Sequence, residues 1–491
     1  MIDLENEFLR FEIKPRGVIH IGAHEASEFE TYNRLGFTKF LFVEANSQLA
    51  RKLQDRFKSN PSVTVAHAAI TDYNGSVNLK ITNFDQASSI LPLAICKEIY
   101  PSIQQVAEES VPARTLDHLI LELNLDPSHF NFLALDIQGA ELMALRGSTS
   151  TLHHIASVQT EINLQELYEG SALLAEIDKF MAEQGFGRSR IEMPHHPTWG
   201  DAFYVRRSVV AMSSLGLNGR FGNQLFQYLY LWSVAKAQDS LIHTPQWIGK
   251  DLFDFKDVTP VMSLPLVKEK INNENSSISE SLAIADERFF QKLSNFTSMD
   301  LWGNFQLHTS NYAVRKESIQ NLFTIAPQWR SRFEEIDEWA RSNRKRIIAI
   351  HLRRGDYGYE CFYRAPAAWY EKWISEAGFS PDDHKIWISS ESPELYASRF
   401  LGYEKLTCEK INLNDISRVI LDFYMMVSAD VLAISNSSFS FFAAMLNRKA
   451  NCFMRPNVNL NCLVPFDPWD SNVFDRHYLS VEMHDLLNEQ D

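Results

Sequence analysis

Short apolar runs alternate with amphipathic stretches along the first two hundred residues. Five runs have the composition of buried strands: GVIHIGAHE from Gly17, KFLFVEAN from Lys39, VTVAHAAI from Val63, FLALDIQ from Phe132 and SVQTEIN from Ser157. The stretches SQLARKLQDRF and SALLAEIDKFMAEQGF have the spacing of helices. This order predicts an α/β fold with a parallel sheet and crossover helices, whose ligands bind beyond the carboxyl ends of the strands.

A second alternation of the same kind begins near Ser208. DAFYVRR ends the first unit as a strand, and SVVAMSSLGLNGRFGNQLFQYLYLWSVAKAQ continues as a strand, a turn and a helix. No long glycine, serine or proline linker intervenes, which predicts a short joint between packed domains of residues 1–207 and 208–491. Each domain has its own sheet and is expected to fold alone. The polar segment INNENSSISES, at 271–281, is predicted to be flexible.

Composition and charge narrow the class of protein. The chain has 491 residues, 45% hydrophobic and 22% charged, which is typical of a soluble protein of about two to four domains. Its net charge of -15 argues against nucleic-acid binding, which depends on lysine-rich and arginine-rich surfaces. The five cysteines lack CxxC spacing, so neither a zinc site nor a disulfide framework is predicted. There is no signal-peptide pattern or apolar run of membrane-spanning length, and we expect a cytoplasmic protein.

The ends of the first two strands carry the residues expected around a nucleoside. Gly22 and Ala23 follow the first strand, where small residues allow close approach to the backbone. Glu44 ends the second strand, about 20 residues later, where a carboxylate can accept hydrogen bonds from both ribose hydroxyls. GxGxxG is absent, with Ala26 where a further glycine is expected, so no pyrophosphate cradle is indicated. S-adenosylmethionine therefore fits better than NAD.

The N-terminal half resembles the FkbM-type S-adenosylmethionine-dependent methyltransferases over about residues 14–207. The resemblance rests on HIGAHEASE, VEAN, TLDHL, QTEIN and above all LDIQGAELMALRG. The chain differs from the common family pattern at His20, where an aspartate is usual, and at Ala26, where glycine is usual. The resemblance implies a Rossmann-like domain that O-methylates a hydroxyl, often of a sugar, with the cofactor bound by four residues: Gly22, Ala23, Glu44 and Asn46.

Two acidic residues follow neighbouring predicted strands and are the candidates for catalysis. O-methylation requires the acceptor oxygen to lose a proton, so a base or a metal ion is needed close to the methyl group. Asp136 and Glu161 could act as the base or hold a divalent metal. Each could instead cap a helix or pair with an arginine. His24 and His67 are expected to be ordinary polar residues.

In the second half, two adjacent arginines follow an apolar strand in the stretch RIIAIHLRRGDY. Arginine can bind two phosphate oxygens at once through its planar guanidinium group. Adjacent residues of an extended segment point in opposite directions. We therefore expect only one arginine to reach a phosphate ligand, while its neighbour braces the loop, for which Asp356 is the candidate partner.

Three further stretches support a nucleotide-sugar site. GLNGRFGNQLFQY is a glycine-rich loop that opens a helix, and SNSSFS is a polar loop that opens another, which are both suitable for an anion. WGNFQLHTSNY combines aromatic and amide groups, as sugar sites do. In order and spacing these motifs resemble the family 11 glycosyltransferases, the α-1,2-fucosyltransferases, over about residues 209–491.

That resemblance implies a GT-B architecture with two Rossmann-like lobes, about 208–345 and 346–491, and GDP-fucose as the donor. Arg353 is implied to bind the donor phosphate and to act in catalysis with Asp356. The remaining residues implied to form the nucleotide site are Gly219, Gly222, Asn223, His351, Arg354, Asn436, Ser437 and Ser438. The chain has no Asp-x-Asp pair, so no metal ion is expected to hold the diphosphate. The base that accepts the acceptor proton is not identified; Asp356 and Glu360 are candidates.

The two halves together predict a bifunctional enzyme that modifies a glycan. One half would transfer L-fucose with inversion from GDP-fucose to a galactose-type hydroxyl, and the other would methylate a sugar hydroxyl. The alternative is an active fucosyltransferase whose N-terminal half is a degenerate module for binding or scaffolding. The expected partners are an oligosaccharide acceptor and a nucleotide sugar, without nucleic acid or membrane.

Overall fold

The structure is a computed structural model that describes residues 2–269, 298–396, 398–411, 416–475, 477 and 479–489. The segment 271–281, for which flexibility is predicted, lies outside these residues. Within them the chain forms four β-sheets, of which three are wholly or mainly parallel and carry helices. The predicted α/β fold class is confirmed.

The N-terminal half is built on a sheet of seven strands in the order β3-β2-β1-β7-β8-β10-β9. The first five are parallel, and β10 runs antiparallel to both β8 and β9. A small second sheet has the order β4-β6-β5. The strands are β1 (Gly17–Ile21), β2 (Lys39–Glu44), β3 (Val63–His67), β4 (Ala69–Ile70), β5 (Gly75–Thr82), β6 (Gln105–Arg114), β7 (Phe132–Leu135), β8 (Ser157–Asn163), β9 (Gly187–His196) and β10 (Trp199–Val205).

Amphipathic helices cover this sheet because their apolar residues recur on one face. In the helix Ser47–Phe57, for example, Leu49, Leu53 and Phe57 are buried, and the Asn46 side chain caps its first turn. The α-helices of this half are Leu4–Arg10, Phe29–Leu35, Ser47–Phe57, Cys96–Ile99, Leu116–Glu122, Glu141–Arg146, Thr149–Leu152 and Leu174–Glu183.

The C-terminal half has two sheets, as expected for two lobes. The first has the order β12-β11-β14-β13 and the second the order β17-β16-β15-β18-β19-β20, in which β20 alone is antiparallel to its neighbour. The strands are β11 (Val209–Ala211), β12 (Leu241–His243), β13 (Leu266–Lys268), β14 (Met299–Trp302), β15 (Arg346–Leu352), β16 (His384–Ser390), β17 (Lys405–Leu406), β18 (Val431–Ala433), β19 (Phe453–Asn457) and β20 (Cys462–Pro465).

The helices of the two lobes pack against one another through a single apolar core. The helix Phe221–Gln238 is buried on nearly all sides and contacts the helix Ser438–Leu446 of the other lobe. The α-helices described in this half are Phe221–Gln238, Ile248–Leu252, Ser310–Ala313, Lys316–Leu322, Pro327–Ala340, Ala367–Glu376, Arg418–Ser428, Ser438–Leu446 and Val481–Glu489.

The joint between the halves is short and packed. β10 ends at Val205 and β11 begins at Val209, and both residues belong to one buried apolar cluster. Arg188 crosses the joint, because its Nη2 donates to the Thr259 carbonyl at 3.0 Å and its carbonyl accepts from His243 Nε2 at 2.8 Å. The change of sheet falls where the sequence predicts a boundary, but the independence of the two domains stays a prediction.

Two properties of the chain bear on its environment. Among the helices that the structure describes, none is long and apolar enough to cross a lipid bilayer. All five cysteines are free thiols, and Cys96, Cys361 and Cys408 are buried. These thiols therefore behave as small apolar residues of the core.

Candidate active sites

A cavity of about 850 Å³ opens at the carboxyl edge of the seven-stranded sheet. Residues that follow β1, β2, β7 and β8 line it, together with the first residues of β10 and part of the segment that joins β5 to β6. Such an edge is where parallel sheets bind ligands. The cavity brings together all six residues predicted for this half, which are Gly22, Ala23, Glu44, Asn46, Asp136 and Glu161.

Gly22 forms the floor of the cavity between β1 and β7. Its φ is +80°, and a Cβ atom would lie 1.8 Å from the Asp136 carbonyl oxygen, so no other residue fits without rearrangement. The glycine is therefore required by the close approach of the chain that follows β1 to the chain that follows β7. Ala26 also has a positive φ, of 51°, which explains why glycine would be suited to this position.

Glu44 is buried at the end of β2 and fastens the adjacent loops. Its Oε2 accepts from the His24 backbone N–H and its Oε1 from that of Asn46, both at 2.8 Å. Burial raises the pKa of Glu44, and these backbone hydrogen bonds oppose that rise. Each carboxylate oxygen can accept a further hydrogen bond, so the role predicted for Glu44 with ribose is compatible with this geometry.

Asn46 lines the cavity, but its side-chain oxygen has a partner within the fold. Its Oδ1 accepts from the backbone N–H groups of Gln48 and Leu49, at 3.0 and 3.3 Å, and so caps the helix. Together with its backbone bond to Glu44, this fixes the turn that presents the carboxylate. Asn46 therefore positions Glu44, a role that the sequence did not indicate.

The histidines near the cavity make ordinary polar contacts. His20 is buried, which lowers its pKa, and its Nδ1 lies 3.3 Å from the Tyr32 hydroxyl. His67 bonds through Nε2 to the Ala45 carbonyl at 3.0 Å. His24 Nε2 lies 3.3 Å from Asp85 Oδ2 at the cavity mouth. These contacts agree with the polar roles expected for His24 and His67.

Gln138 connects the two predicted catalytic carboxyl groups. Its Nε2 donates to Asp136 Oδ1 at 2.6 Å and to Glu161 Oε2 at 2.9 Å, while its Oε1 accepts from the Tyr168 hydroxyl at 2.8 Å. Sequence reasoning missed Gln138 and Tyr168. Gln138 could have been found, because it lies within DIQGAE, the most specific motif of the N-terminal half.

Four carboxyl groups gather around this network and repel one another's charge. Burial, followed by the charge of Asp136, raises the pKa of Glu161 well above its usual range, and a hydrogen bond with Asp136 contributes. Burial raises the pKa of Glu141 to about 7, and burial with the charge of Asp136 also raises that of Asp201. Asp136 is the exposed member of the group. Burial and the neighbouring negative charges therefore favour the protonated form of Glu161.

The donor set at this edge consists of carboxyl groups joined by an amide. Among the residues within the described ranges, no group of three or more His, Cys, Asp or Glu side chains is arranged to hold a metal ion. The amide of Gln138 lies between Asp136 and Glu161, the two residues considered as metal ligands. The amide therefore orients both carboxyl groups by hydrogen bonds.

In the C-terminal half, three of the sequence motifs meet at the junction of the lobes. Asn223 Oδ1 accepts from Gln306 Nε2 and from Ser438 Oγ, both at 2.7 Å. One residue thus joins GRFGNQ, GNFQLHTSNY and SNSSFS. Asn223 and Ser438 were predicted to bind the nucleotide, and the structure gives each a contact that ties the lobes together.

Gly222 was also predicted to bind the nucleotide, but it lies against protein backbone. A Cβ atom at Gly222 would lie 2.4 Å from the Phe439 nitrogen, so the glycine allows two helix starts to approach closely. Gly219 has a φ of +76° and shapes the turn before the helix. Both glycines are required by the local packing, which the sequence alone did not distinguish from ligand approach.

Arg353 reaches the junction of the lobes and is paired with acidic residues there. Its Nη2 donates to Asp356 Oδ1 at 2.6 Å, and its Nη1 contacts Glu391 Oε1. Arg220, from the glycine-rich loop of the other lobe, donates to the same Asp356 oxygen at 2.9 Å. Asp356 therefore bridges two guanidinium groups from different lobes, and Arg220 is a site residue that the sequence reasoning missed.

Arg354 is buried and braces the loop, as expected for the neighbour of Arg353. It donates from Nε to the Tyr396 hydroxyl at 2.5 Å, from Nη1 to the Arg353 carbonyl at 3.0 Å and from Nη2 to the Ala365 carbonyl at 3.1 Å. The expected partner was Asp356, but Asp356 pairs with Arg353 and Arg220 instead. The two arginines thus have unequal surroundings.

The remaining predicted residues form the buried frame behind this pair. His351 Nδ1 lies 2.8 Å from Ser435 Oγ, and burial with the charge of Arg354 lowers its pKa to about 3. Asn436 bonds to the backbone of Cys361 and Asp475 through both ends of its amide. Ser437 caps the helix Ser438–Leu446. These side chains hold the polar loop at the carboxyl edge of β18.

Neither candidate for the fucosyl-transfer base is favoured by the geometry. One oxygen of Asp356 is bonded by two guanidinium groups. Glu360 has a φ of +48° and is exposed, and its carbonyl accepts from Leu479 N at 3.2 Å and His484 Nε2 at 3.1 Å. The base stays unassigned.

Residues 20–187 match the family model of the methyltransferase FkbM domain. Over this span the N-terminal half is similar to the FkbM-type methyltransferases. The resemblance predicted from DIQGAE and its neighbouring motifs is thereby confirmed. A curated relative is the 2-O-methyltransferase NoeI of Sinorhizobium fredii strain NBRC 101917 / NGR234, which is 26% identical over 168 residues, or 33% of this chain and 68% of that protein.

Solved structures similar to this chain include a fucosyltransferase and a methyltransferase. One is the NodZ α-1,6-fucosyltransferase soaked with GDP-fucose, with 13% identity and a TM-score of 0.35 over 53% of this chain and 99% of its own. NodZ from Bradyrhizobium gives the same values. The methyltransferase FkbM from Methylobacillus flagellatus KT has 16% identity and a TM-score of 0.26, over 39% of this chain and 44% of its own.

Proposed function

We propose that this chain modifies glycans at two transferase sites. Residues 1–207 would methylate a sugar hydroxyl with S-adenosylmethionine, and residues 208–491 would transfer L-fucose from GDP-fucose. The observation that carries the first activity is the cavity with Gly22 and Glu44 at one end and the Asp136, Gln138 and Glu161 network at the other. The second activity is supported by the motifs that meet around Asn223 and Arg353.

The cavity fits S-adenosylmethionine by its shape and by its donor set. Gly22 and Ala23 line the cavity with little or no side chain, which leaves space for the nucleoside, and the Glu44 carboxylate is positioned for the ribose hydroxyls. β2 and β7 are two strand spacings apart, about 10 Å, which separates the nucleoside end from the reacting end. When bound, the cofactor supplies an electrophilic methyl group.

Asp136 is the residue that we assign to accept the proton of the sugar hydroxyl. It is exposed at the cavity, whereas Glu161 is buried and holds its proton to a higher pH than an exposed carboxyl group. Gln138 donates to both groups and fixes their orientation. Glu161 then stabilises the Asp136 carboxylate by a hydrogen bond, and Asp136 receives the proton as the oxygen attacks.

Fucosyl transfer would depend on the guanidinium of Arg353. GDP-fucose is β-linked, so an α-linked product requires a single inverting displacement, in which negative charge develops on the departing diphosphate. A guanidinium fixed in advance stabilises that charge. Asp356 and Glu391 hold Arg353 at the junction of the lobes. We propose an α-1,2 linkage to a galactose-type hydroxyl, as the resemblance to family 11 implies.

Titration calorimetry of the full chain with each donor tests both sites separately. We expect saturable binding of S-adenosylmethionine and of GDP-fucose. Mass spectrometry of lactose incubated with both donors should then detect the addition of one deoxyhexose and one methyl group. Failure to bind S-adenosylmethionine would favour the alternative in which the N-terminal half is a binding or scaffolding module. Failure to bind GDP-fucose would contradict the fucosyltransferase proposal.

A further inference from the structure

The cavity of the N-terminal half continues past the groups that the proposed methylation uses. Beyond Glu161 its wall is formed by β10, on which Asp201 lies directly opposite Glu161. Trp199 is two residues before Asp201 on the same strand, so both side chains lie on the face that borders the cavity. Because β10 is antiparallel, its first residue, Trp199, lies at the same edge of the sheet as the carboxyl end of β8.

A second wall holds the indole of Trp199 in place. Trp199 Nε1 donates to the Tyr100 hydroxyl at 3.2 Å, and the His195 ring lies 5.7 Å from the indole with a tilt of 32°. Tyr100 belongs to the segment between β5 and β6. That segment and Trp199 pack on a small buried cluster of Leu93, Cys96, Leu167 and Tyr168. The indole is therefore a fixed part of the cavity wall.

The chemistry of this end differs from that of the nucleoside end. It combines an aromatic face from Trp199 with an acidic group from Asp201 and the hydroxyl of Tyr100. A pyranose ring has an apolar C–H face and a rim of hydroxyl groups, which match an aromatic face and carboxyl oxygens respectively. A second nucleoside would instead need a carboxylate at the end of a strand to accept hydrogen bonds from the ribose hydroxyls, as proposed for Glu44.

The length of the cavity accommodates such a ring beside the cofactor. Four strand spacings separate β2, which carries Glu44, from β10, which carries Trp199, and these amount to about 19 Å. The volume of about 850 Å³ is near the upper end of the range for small-molecule sites, about 300 to 1,000 Å³. Asp136, which follows β7, and Glu161, on β8, lie between β2 and β10 in the sheet.

We propose that Tyr100, His195, Trp199 and Asp201 form the subsite for the sugar ring of the methyl acceptor. The ring face lies on Trp199, and the hydroxyl rim faces Asp201 and Asp136. That the bound sugar is methylated rests on the proposed function, whereas the inference that the ligand is a sugar rests on the residues of the cavity wall. Trp199 acts as a specificity-determining residue that positions the hydroxyl for Asp136.

Saturation-transfer NMR on the full chain tests the subsite, with methyl β-D-galactopyranoside and methyl α-L-fucopyranoside as probes. The native chain should bind at least one glycoside, and Trp199→Leu should weaken the part of that binding that occurs at the subsite about tenfold through loss of the aromatic face, while any part bound by the C-terminal half is unchanged. Trp199→Phe should retain most of the binding, which separates a lost face from a misfolded chain. Trp339→Leu, at an exposed tryptophan of the C-terminal half, is the control and should change nothing.

S-adenosylmethionine affinity, measured by calorimetry on the same variants, keeps the two proposals apart. It should be unchanged in Trp199→Leu, because Trp199 lies at the other end of the cavity from Glu44. Glycoside binding that is absent from the native chain, or unaffected by Trp199→Leu, overturns the subsite. If glycosides bind through Trp199 while S-adenosylmethionine does not bind, the sugar subsite stands and the methyltransferase proposal fails.

Discussion

The two halves of this protein differ in how their charged side chains are arranged. In the N-terminal cavity, carboxyl groups are crowded together, and burial raises the pKa values of Glu141 and Glu161. At the junction of the C-terminal lobes, the guanidinium groups of Arg353 and Arg220 are already paired with Asp356. The difference matches the proposed reactions, because methylation of a hydroxyl releases a proton and glycosyl transfer releases an anion. Each site provides in advance the group that receives what its reaction releases.

The largest effect is expected at Asp136, because it is the proton acceptor that we assign to the N-terminal site. Asp136→Asn keeps an oxygen for the hydrogen bond from Gln138 but removes the base, so methyl transfer should fall about 1,000-fold. S-adenosylmethionine affinity and fucosyl transfer should stay near native values. Turnover measured separately with each donor provides the test.

Glu161→Gln is the matched control for Asp136→Asn. It replaces a buried acid with a neutral group of the same shape, so methyl transfer should decrease far less. If Glu161→Gln is the more damaging change, the roles of the two carboxyl groups are reversed. If Asp136→Asn weakens cofactor binding as much as turnover, Asp136 is a structural residue.

Arg353 offers the corresponding change in the other half. Arg353→Lys keeps the positive charge but cannot bind two oxygens at once, so fucosyl turnover should fall about 100-fold. Methyl transfer should be unaffected. Arg330→Lys, at an exposed position on the helix Pro327–Ala340, is the control. Turnover near the native rate in Arg353→Lys would leave the Arg353–Asp356–Glu391 group as a structural set of ion pairs.

Arg354→Lys should differ from Arg353→Lys in kind. Arg354 is buried and donates three hydrogen bonds that lysine cannot all replace. We expect the free energy of unfolding to decrease by about 1 to 3 kcal/mol, with a lower melting temperature. Donor affinity in the fraction that remains folded should be close to native. A stable but inactive Arg354→Lys would indicate that both arginines contact the donor.

Changing Glu44 tests whether S-adenosylmethionine binds at the nucleoside end of the cavity. Glu44→Ala removes a charged acceptor and should weaken S-adenosylmethionine binding by about 1 to 3 kcal/mol in calorimetry. Part of that loss comes from freeing the His24 and Asn46 backbone groups that Glu44 fastens. Glu25→Ala, at an exposed residue nearby, should bind normally. Unchanged affinity in Glu44→Ala would move the nucleoside elsewhere in the cavity.

The last effect concerns stability and pH. Burial raises the pKa of Glu141 from 4.5 to about 7, so the folded state binds more protons than the unfolded state between these values. The contribution of Glu141 to the free energy of unfolding should therefore be highest at low pH within this window, fall as pH rises toward 7 and level off above, by at most about 1.4 kcal/mol per pH unit. Glu141→Gln should reduce this slope in melting curves, whereas Glu30→Gln should not. An unchanged slope in Glu141→Gln would contradict the assignment.

The sequence predicted best which side chains lie close together where strand order alone brings them together. Gly22, Glu44, Asp136 and Glu161 lie at or near the carboxyl ends of parallel strands, and their convergence needs no knowledge of side-chain packing. Trp199 and Asp201 could not be placed, because they begin an antiparallel strand whose position beside β8 depends on the complete sheet.

Glycine and asparagine were the least predictable residues of the second site. The sequence marks Gly222 and Asn223 as a loop that could approach a ligand. Their partners, Phe439 and Ser438, are more than 200 residues further along the chain, and only the packed lobes reveal them. Arg220 was missed for the same reason, since its significance depends on Asp356 in the other lobe.

The apolar cluster that spans the joint links the thermal behaviour of the two halves. Val205 and Phe203 on one side pack with Val209, Ala211 and Leu241 on the other, so a fragment that begins at Ser208 would expose this surface. Independent folding of the halves is therefore less favourable than their separate sheets suggest. A ligand that binds only the native state raises the temperature of unfolding. Through the shared core, binding of GDP-fucose at the proposed C-terminal site should raise the temperature at which residues 1–207 unfold.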